Sequence, residues 1–354
     1  MLARLQSISI CQYAISFQPR TIGAIMRRLF SRFLLSCALA SIPTAFLVHP
    51  ICGQTITDPA KADIDYEIQG EYAGRIQIGD IDETWGAQVV ALGDGQFEII
   101  GFKGGLPGDG WLRGDESNKT QGLREGDYLY ADADNFELKI GKGKMEVIAE
   151  DRVLVTLGKV ARQSPTLGMK PPKDAKVLFD GTNVDQWVNG KLVDGKYLGA
   201  TNVSSKLALM DHTLHIEFRT PFMPKARGQA RGNSGVYIQG RYELQVLDSF
   251  GLEGADNECG GIYSIRKPKV NMCFPPLVWQ TYDIDFKAAR YEGDKKVENA
   301  RVTIKHNGVA IHDNLELPHG TPGNKPEGPG PESLFLQDHG DPVVFQNIWV
   351  VTRD

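Results

Sequence analysis

Cysteine is scarce, with five residues in 354. The last two, Cys259 and Cys273, have no histidine pair nearby, which argues against a structural zinc site. No apolar run reaches the roughly 20 residues a membrane-spanning helix needs. The longest near the N-terminus covers 16 residues, Phe33 to Val48, and Pro43 interrupts it. Acidic residues are absent from positions 1–53, which hold Arg4, Arg20, Arg27, Arg28 and Arg32. The rest of the chain therefore carries 34 basic against 44 acidic residues, a net of −10. So acidic a body is a poor electrostatic partner for nucleic acid or anionic lipid. Aromatics are 9%, whereas Gly (39) and Pro (19) are plentiful, which favours short strands and turns over long helices. A coiled coil, a collagen-like chain and a wholly disordered protein are excluded.

The N-terminus reads as an export signal. A basic stretch (Arg27, Arg28, Arg32), the short apolar run and small residues before Gln54 fit a secretory leader. Cleavage is expected after Gly53 or after Ala40, and Met26 is an alternative translation start. The expected location is periplasmic or extracellular, with no membrane span once the leader is gone. Cys11, Cys37 and Cys52 leave with it, so Cys259 and Cys273 are expected to form a disulfide worth about 3 kcal/mol. Two buried thiols are the alternative.

The sequence Ser164-Pro165-Thr166-Leu167-Gly168-Met169-Lys170-Pro171-Pro172-Lys173 reads as an extended linker between two folded segments. Upstream, residues 54–163 read as a small all-β accessory module of about seven strands. Gly93-Asp94-Gly95 and Gly141-Lys142-Gly143 look like its hairpin loops. Its Gly104–Gly110 run lacks the Lys-Ser/Thr of a phosphate loop, and Arg113-Gly114-Asp115 matches an adhesion tripeptide that chance often supplies.

Residues 174–354 also read as nearly all strand. Leu214, Ile216 and Phe218 alternate with His215, Glu217 and Arg219, and Tyr282–Phe286 alternates likewise. Asn307-Gly308 marks a hairpin. Twelve or so such runs predict a two-sheet sandwich. Pro318 to Pro331 reads as a surface loop.

The most informative stretch is Gly232-Asn233-Ser234-Gly235-Val236-Tyr237 followed by Tyr242-Glu243-Leu244-Gln245-Val246-Leu247-Asp248. On a regular strand Glu243 and Gln245 share a face and Asp248 takes the other. A β-bulge after Gln245 would bring Asp248 to Glu243, pairing two carboxylates as acid/base chemistry on sugars requires. Two polar residues on a solvated face is the plainer reading.

Together with Phe179-Asp180-Gly181-Thr182, Trp279-Gln280-Thr281-Tyr282, Leu336-Gln337-Asp338-His339-Gly340 and Phe345-Gln346-Asn347-Ile348, these motifs resemble the 3-keto-disaccharide hydrolase domain (3-keto-glucoside 1,2-lyase/3-keto-2-hydroxy-glucal hydratase). The resemblance spans roughly Lys176 to Thr352 and leaves the N-terminal module outside. It implies a concanavalin-A-like jelly roll whose concave sheet binds a saccharide or glycoside. Glu243-x-Gln245-x-x-Asp248 also resembles the Glu-x-Asp-x-x-Glu strand of retaining laminarinases and lichenases. Here Gln245 replaces the middle acid and Asp248 the acid/base Glu, which puts ordinary retaining hydrolysis in doubt.

What the resemblance implies instead is elimination. A ketone at C3 acidifies the C2 proton, a base removes it, and the C1 substituent departs. The site then needs a base, a stabiliser for the enediolate oxygen and an acid for the leaving group. No motif specifies a cofactor, and an arginine or a divalent metal suits the second role. Expected catalytic residues are Glu243, Asp248, His339 and Glu217, with His339 as base. Expected substrate contacts are Arg219, Asn233, Tyr237, Gln245, Tyr263, Trp279 and Gln337. His215 faces the same way as Glu217, while His212, His306, His312 and His319 read as surface residues. A non-catalytic sugar-binding sandwich and a structural surface protein are the other classes. Turnover of a 3-keto-glucoside separates the first from both.

Overall fold

The computed structural model describes residues 55–78 and 81–353. The expected export segment, with Cys11, Cys37 and Cys52, lies outside the described residues. Among these residues no helix is long and apolar enough to cross a membrane.

The N-terminal module is a closed antiparallel barrel of eight strands rather than seven. They are β1 (Gly70–Ile78), β2 (Ile81–Gly93), β3 (Gln96–Lys103), β4 (Ser117–Glu125), β5 (Tyr128–Ala133), β6 (Phe136–Gly141), β7 (Lys144–Ala149) and β8 (Arg152–Val160). Each pairs with the next, and β8 closes on β1 with Glu71 opposite Val160. The Gly/Asp and Gly/Lys loops turn where the sequence placed them, with Asp94 and Lys142 at positive φ followed by glycine. Tyr72, Val89, Phe97, Leu129 and Ile140 fill the barrel.

The second module is a jelly-roll-like sandwich. Its strands are β9 (Lys176–Phe179), β10 (Trp187–Val188), β11 (Leu192–Val193), β12 (Tyr197–Gly199), β13 (Val203–Leu209), β14 (His212–Arg219), β15 (Ser234–Ile238), β16 (Tyr242–Val246), β17 (Gln280–Lys287), β18 (Ala300–His306), β19 (Val309–Leu317), β20 (Glu332–Leu336) and β21 (Val344–Thr352). One sheet runs β11-β12-β21-β14-β17-β18-β19, with β9 also on β21; the other runs β10-β13-β20-β15-β16. Leu214, Ile216 and Phe218 of β14 face Tyr242, Leu244 and Val246 of β16 across the core. Each such fully buried apolar side chain contributes about 1.5–3 kcal/mol. Asn307-Gly308 forms the β18–β19 hairpin, with His306 opposite Val309.

Barrel and sandwich form one compact unit. Phe222 and Leu277 of the sandwich sit in the barrel core, and Phe250 packs on Val90, Ile100 and Phe102. Arg113, first residue of the adhesion-like tripeptide, donates to the carbonyls of Glu253 (2.7 Å), Gly254 (3.1 Å), Pro268 (3.2 Å) and Lys269 (3.3 Å). The Pro-rich segment is a strap laid on the sandwich. Ser164 is buried and bonds Thr281 at 2.6 Å, and the Gly168 amide donates to Glu217 across 2.6 Å.

Candidate functional site

The outward face of the five-stranded sheet gathers most of the expected residues. β15 and β16 pair without a register shift, Gly235 opposite Gln245 and Tyr237 opposite Glu243. Core-facing Val236, Leu244 and Val246 therefore leave Gly235, Tyr237, Glu243 and Gln245 on the other side. Gln337 extends β20 alongside, its amide donating to Gly235 O at 3.0 Å. Gly235 is required there. A Cβ would stand 2.6 Å from Glu243 Oε1, 2.9 Å from the Tyr237 ring and 3.1 Å from Gln337 Oε1.

Glu243 is 4% exposed. Burial pushes its carboxyl up to about 7, with a hydrogen bond from Tyr237 pulling weakly the other way. Burial raises the Tyr237 phenol as well, so it stays protonated. Tyr237 Oη accepts from Gln337 Nε2 (3.1 Å) and lies 3.2 Å from Pro322 O, which competes with the Glu243 carboxyl for its one proton. The Glu243 amide donates to Thr321 Oγ1 at 2.8 Å, and Tyr263 N to Glu243 O at 3.2 Å. Two loops, 254–266 and 318–331, thus flank the carboxyl. Tyr263 is half-buried beside Tyr237.

Gln245 is buried, its Nε2 donating to Asn233 Oδ1 (2.8 Å) and Ser234 O (3.0 Å). Asn233 N in turn donates to Asp341 Oδ2 at 2.7 Å. His339 is on the Glu243 sheet's side, in the exposed turn after β20; burial holds the nearby Asp341 carboxyl above its usual value, with the Asn233 and Gly232 amides and then His339 pulling the other way. Its place is the rim, while the buried titratable group at the centre is Glu243.

Asp248 does not join Glu243. β16 ends at Val246 without a bulge, and Asp248 is buried in an ion pair, accepting from Arg231 Nε at 2.6 Å. The Cys259–Cys273 disulfide is also absent. Both are buried free thiols, Cys259 beside Tyr282 Oη at 3.2 Å.

Glu217, Arg219 and Trp279 belong to the opposite sheet. The alternation along β14 holds, but its polar face looks away from Glu243. There Glu217 accepts from Gly168 N (2.6 Å), Gln346 Nε2 (2.7 Å), Asn347 Nδ2 (2.7 Å) and His215 Nε2 (3.3 Å). His215 Nδ1 donates to Asp283 at 2.6 Å. Burial opposes charge on both groups, yet these bonds outweigh it, holding His215 above and Glu217 below their ordinary values. Arg219 lies over the Tyr197 and Trp279 rings at 5.2 and 5.0 Å. A cleft of about 740 Å³ opens here, lined by Met169, Tyr197, Glu217, Gln346 and Asn347. Its one buried carboxylate, Glu217, is saturated by those four hydrogen bonds.

His212, His306 and His312 are buried rather than exposed, and desolvation lowers them to about 4, 3 and 4. His319 is exposed. Among the described residues no group of three His, Cys, Asp or Glu side chains is placed to hold a metal. Thr321 and Asp341 were not foreseen. Thr321 comes from a loop 78 residues along the chain from Glu243, and no local pattern announces it.

The family that the sandwich matches makes this a carbohydrate-active protein. Residues 174–351, half of the chain, match the family described as a 3-keto-alpha-glucoside-1,2-lyase-like domain, and the chain belongs to that family. Three crystal structures, each described as a "putative glycosyl hydrolase" from Parabacteroides distasonis ATCC 8503, are similar to it. They are 29%, 16% and 21% identical over 51% of this chain, with TM-scores of 0.47, 0.38 and 0.35. The match covers 85%, 94% and 99% of those chains. No curated protein matches.

Proposed function

We propose that this protein cleaves 3-keto-glycosides by elimination, with Glu243 as the group that moves the proton. The observation carrying this is a buried carboxyl with a pKa of about 7, flanked by neutral donors, on the sheet face of a family member. As carboxylate, Glu243 takes the C2 proton, and the electron pair of the C2–H bond passes into the enolate with the C3 carbonyl. Collapse of the enolate forms C1=C2 and breaks the C1–O bond. The departing oxygen takes the proton back, so Glu243 ends as it began. A general base working near its own pKa typically contributes about 10²–10⁴-fold. Tyr237 is the donor suited to the developing enolate oxygen.

The test is incubation with a 3-keto-glucoside, following release of the C1 substituent. Glu243→Gln should lose about 10²–10⁴-fold in kcat while melting normally. Full activity in that variant, or sugar binding without turnover in the wild type, would overturn the reading; the second result would favour a non-catalytic sugar-binding sandwich.

The basic, then apolar, N-terminus supports export, with a mature chain starting near Gln54. N-terminal sequencing of protein from the native host tests it, and an intact Met1 or Met26 on cytosolic material would sink it.

A further inference from the structure

Beside Glu243 one atom lacks a partner. Gln337 Oε1 is buried and accepts no hydrogen bond, although Nε2 of the same amide donates to Tyr237 Oη at 3.1 Å. A buried acceptor left so costs about 1–3 kcal/mol. The position also matters, because Gln337 Oε1 and Glu243 Oε1 both lie over Gly235, at 3.1 and 2.6 Å from where a Cβ would stand. An acceptor without a partner near a carboxyl is tolerable only if the carboxyl carries a proton towards it or the amide turns over.

Two arrangements give the Gln337 amide oxygen a donor. With Glu243 protonated, its O–H donates to Gln337 Oε1, Gln337 Nε2 donates to Tyr237 Oη, and the Tyr237 O–H donates to Pro322 O. With Glu243 ionised, the amide turns over. Its NH2 then donates to the carboxylate, and the Tyr237 O–H donates to Gln337 Oε1. An amide presents nearly the same shape in both orientations, so the hydrogen-bond chain alone selects between them. The structure shows the Gln337–Tyr237–Pro322 part of the first arrangement, the one that fits the acid form.

We propose that the Gln337 side-chain amide turns over each time Glu243 gains or loses its proton, which makes Gln337 a positioning residue for both forms of the carboxyl. Its role in turnover rests on the reading of Glu243 as the proton-moving group. Besides Tyr237 of β15, the titratable groups on this side are Tyr263 of the 254–266 loop and, at the rim, Asp341 and His339; Thr321 and Gln245 are neutral. The ionised form gains more from the amide than the acid form does, because hydrogen bonds to charged groups are about twice as strong as neutral ones.

Gln337→Met keeps the volume and removes both donor and acceptor. The midpoint of kcat/KM against pH should then rise by about one unit, so activity falls about tenfold below it and recovers above it. A purely structural role would depress kcat/KM equally at every pH, and an unmoved midpoint overturns the proposal. The second measurement needs no substrate. In the wild type, the ¹⁵N and ¹H signals of the Gln337 side chain should shift with the Glu243 titration, and in Glu243→Gln they should not. Signals constant across that range overturn the turnover of the amide. Signals that shift in a protein inert towards 3-keto-glucosides uphold it and overturn the reaction instead.

Discussion

Arg231 Nε donates to Asp248 Oδ2 across 2.6 Å, with both side chains buried where sandwich meets barrel. The same guanidinium reaches Ala91 O of β2 at 3.4 Å. Removing one partner leaves the other charge buried alone. Asp248→Ala should cost about 3–5 kcal/mol in denaturant unfolding. Asp248→Ala that melts normally but loses turnover would return Asp248 to the chemistry.

Glu243 makes stability fall with pH. Its folded pKa, about 7, lies above its ordinary 4.5, so the folded protein binds the extra proton between those values. The stability this proton brings is full below about pH 4.5 and is lost as pH rises through 7. It amounts to about 3 kcal/mol. Glu243→Gln should flatten that part of the curve. Melting at pH 5 and pH 8 in both proteins checks it, and parallel slopes would contradict it.

The strap responds to pH from both sides. His215, raised above its usual 6.5, stabilises fully below that value and loses the contribution as pH rises through its folded value. Glu217, lowered from 4.5, stabilises above that value and loses the contribution as pH falls through its folded value. Hydrogen exchange at the Gly168 amide should therefore be slowest between about pH 4.5 and 6.5 after correction for intrinsic rates. His215→Leu should admit protease to residues 164–171; a strap cut no faster than in the wild type would argue against the clamp.

Cys259 and Cys273 are 0% and 1% exposed, and burial pushes the Cys273 thiol up. Neither should react with iodoacetamide in the folded protein, and both should react after unfolding without reductant. A linked 259–273 peptide pair would contradict the free thiols.

Alternation along a strand fixes which side chains meet the core, and that much was legible. Leu214, Ile216 and Phe218 pack as read, and Tyr237, Glu243 and Gln245 point outward. It does not fix which sheet a strand joins. Glu217 and Glu243 alternate equally well and stand on opposite faces of the molecule, because strand order depends on partners far along the chain. The bulge invoked for Asp248 failed for a simpler reason, since the strand stops before reaching it. The buried histidines were misread because a polar ring is satisfied by remote carbonyls, as His312 is by Gly260 O at 2.7 Å.

Arg113 and the shared apolar seam bear on how such a sandwich can be inherited. Released from its barrel, the jelly roll would expose Phe222, Phe250 and Leu277, together with the carbonyls that one guanidinium now gathers from residues 253–269. Those carbonyls brace the loop that carries Tyr263. A recombination event grafting this sandwich onto a foreign leader domain must bring a matching socket and a replacement cation, or lose the order of that loop.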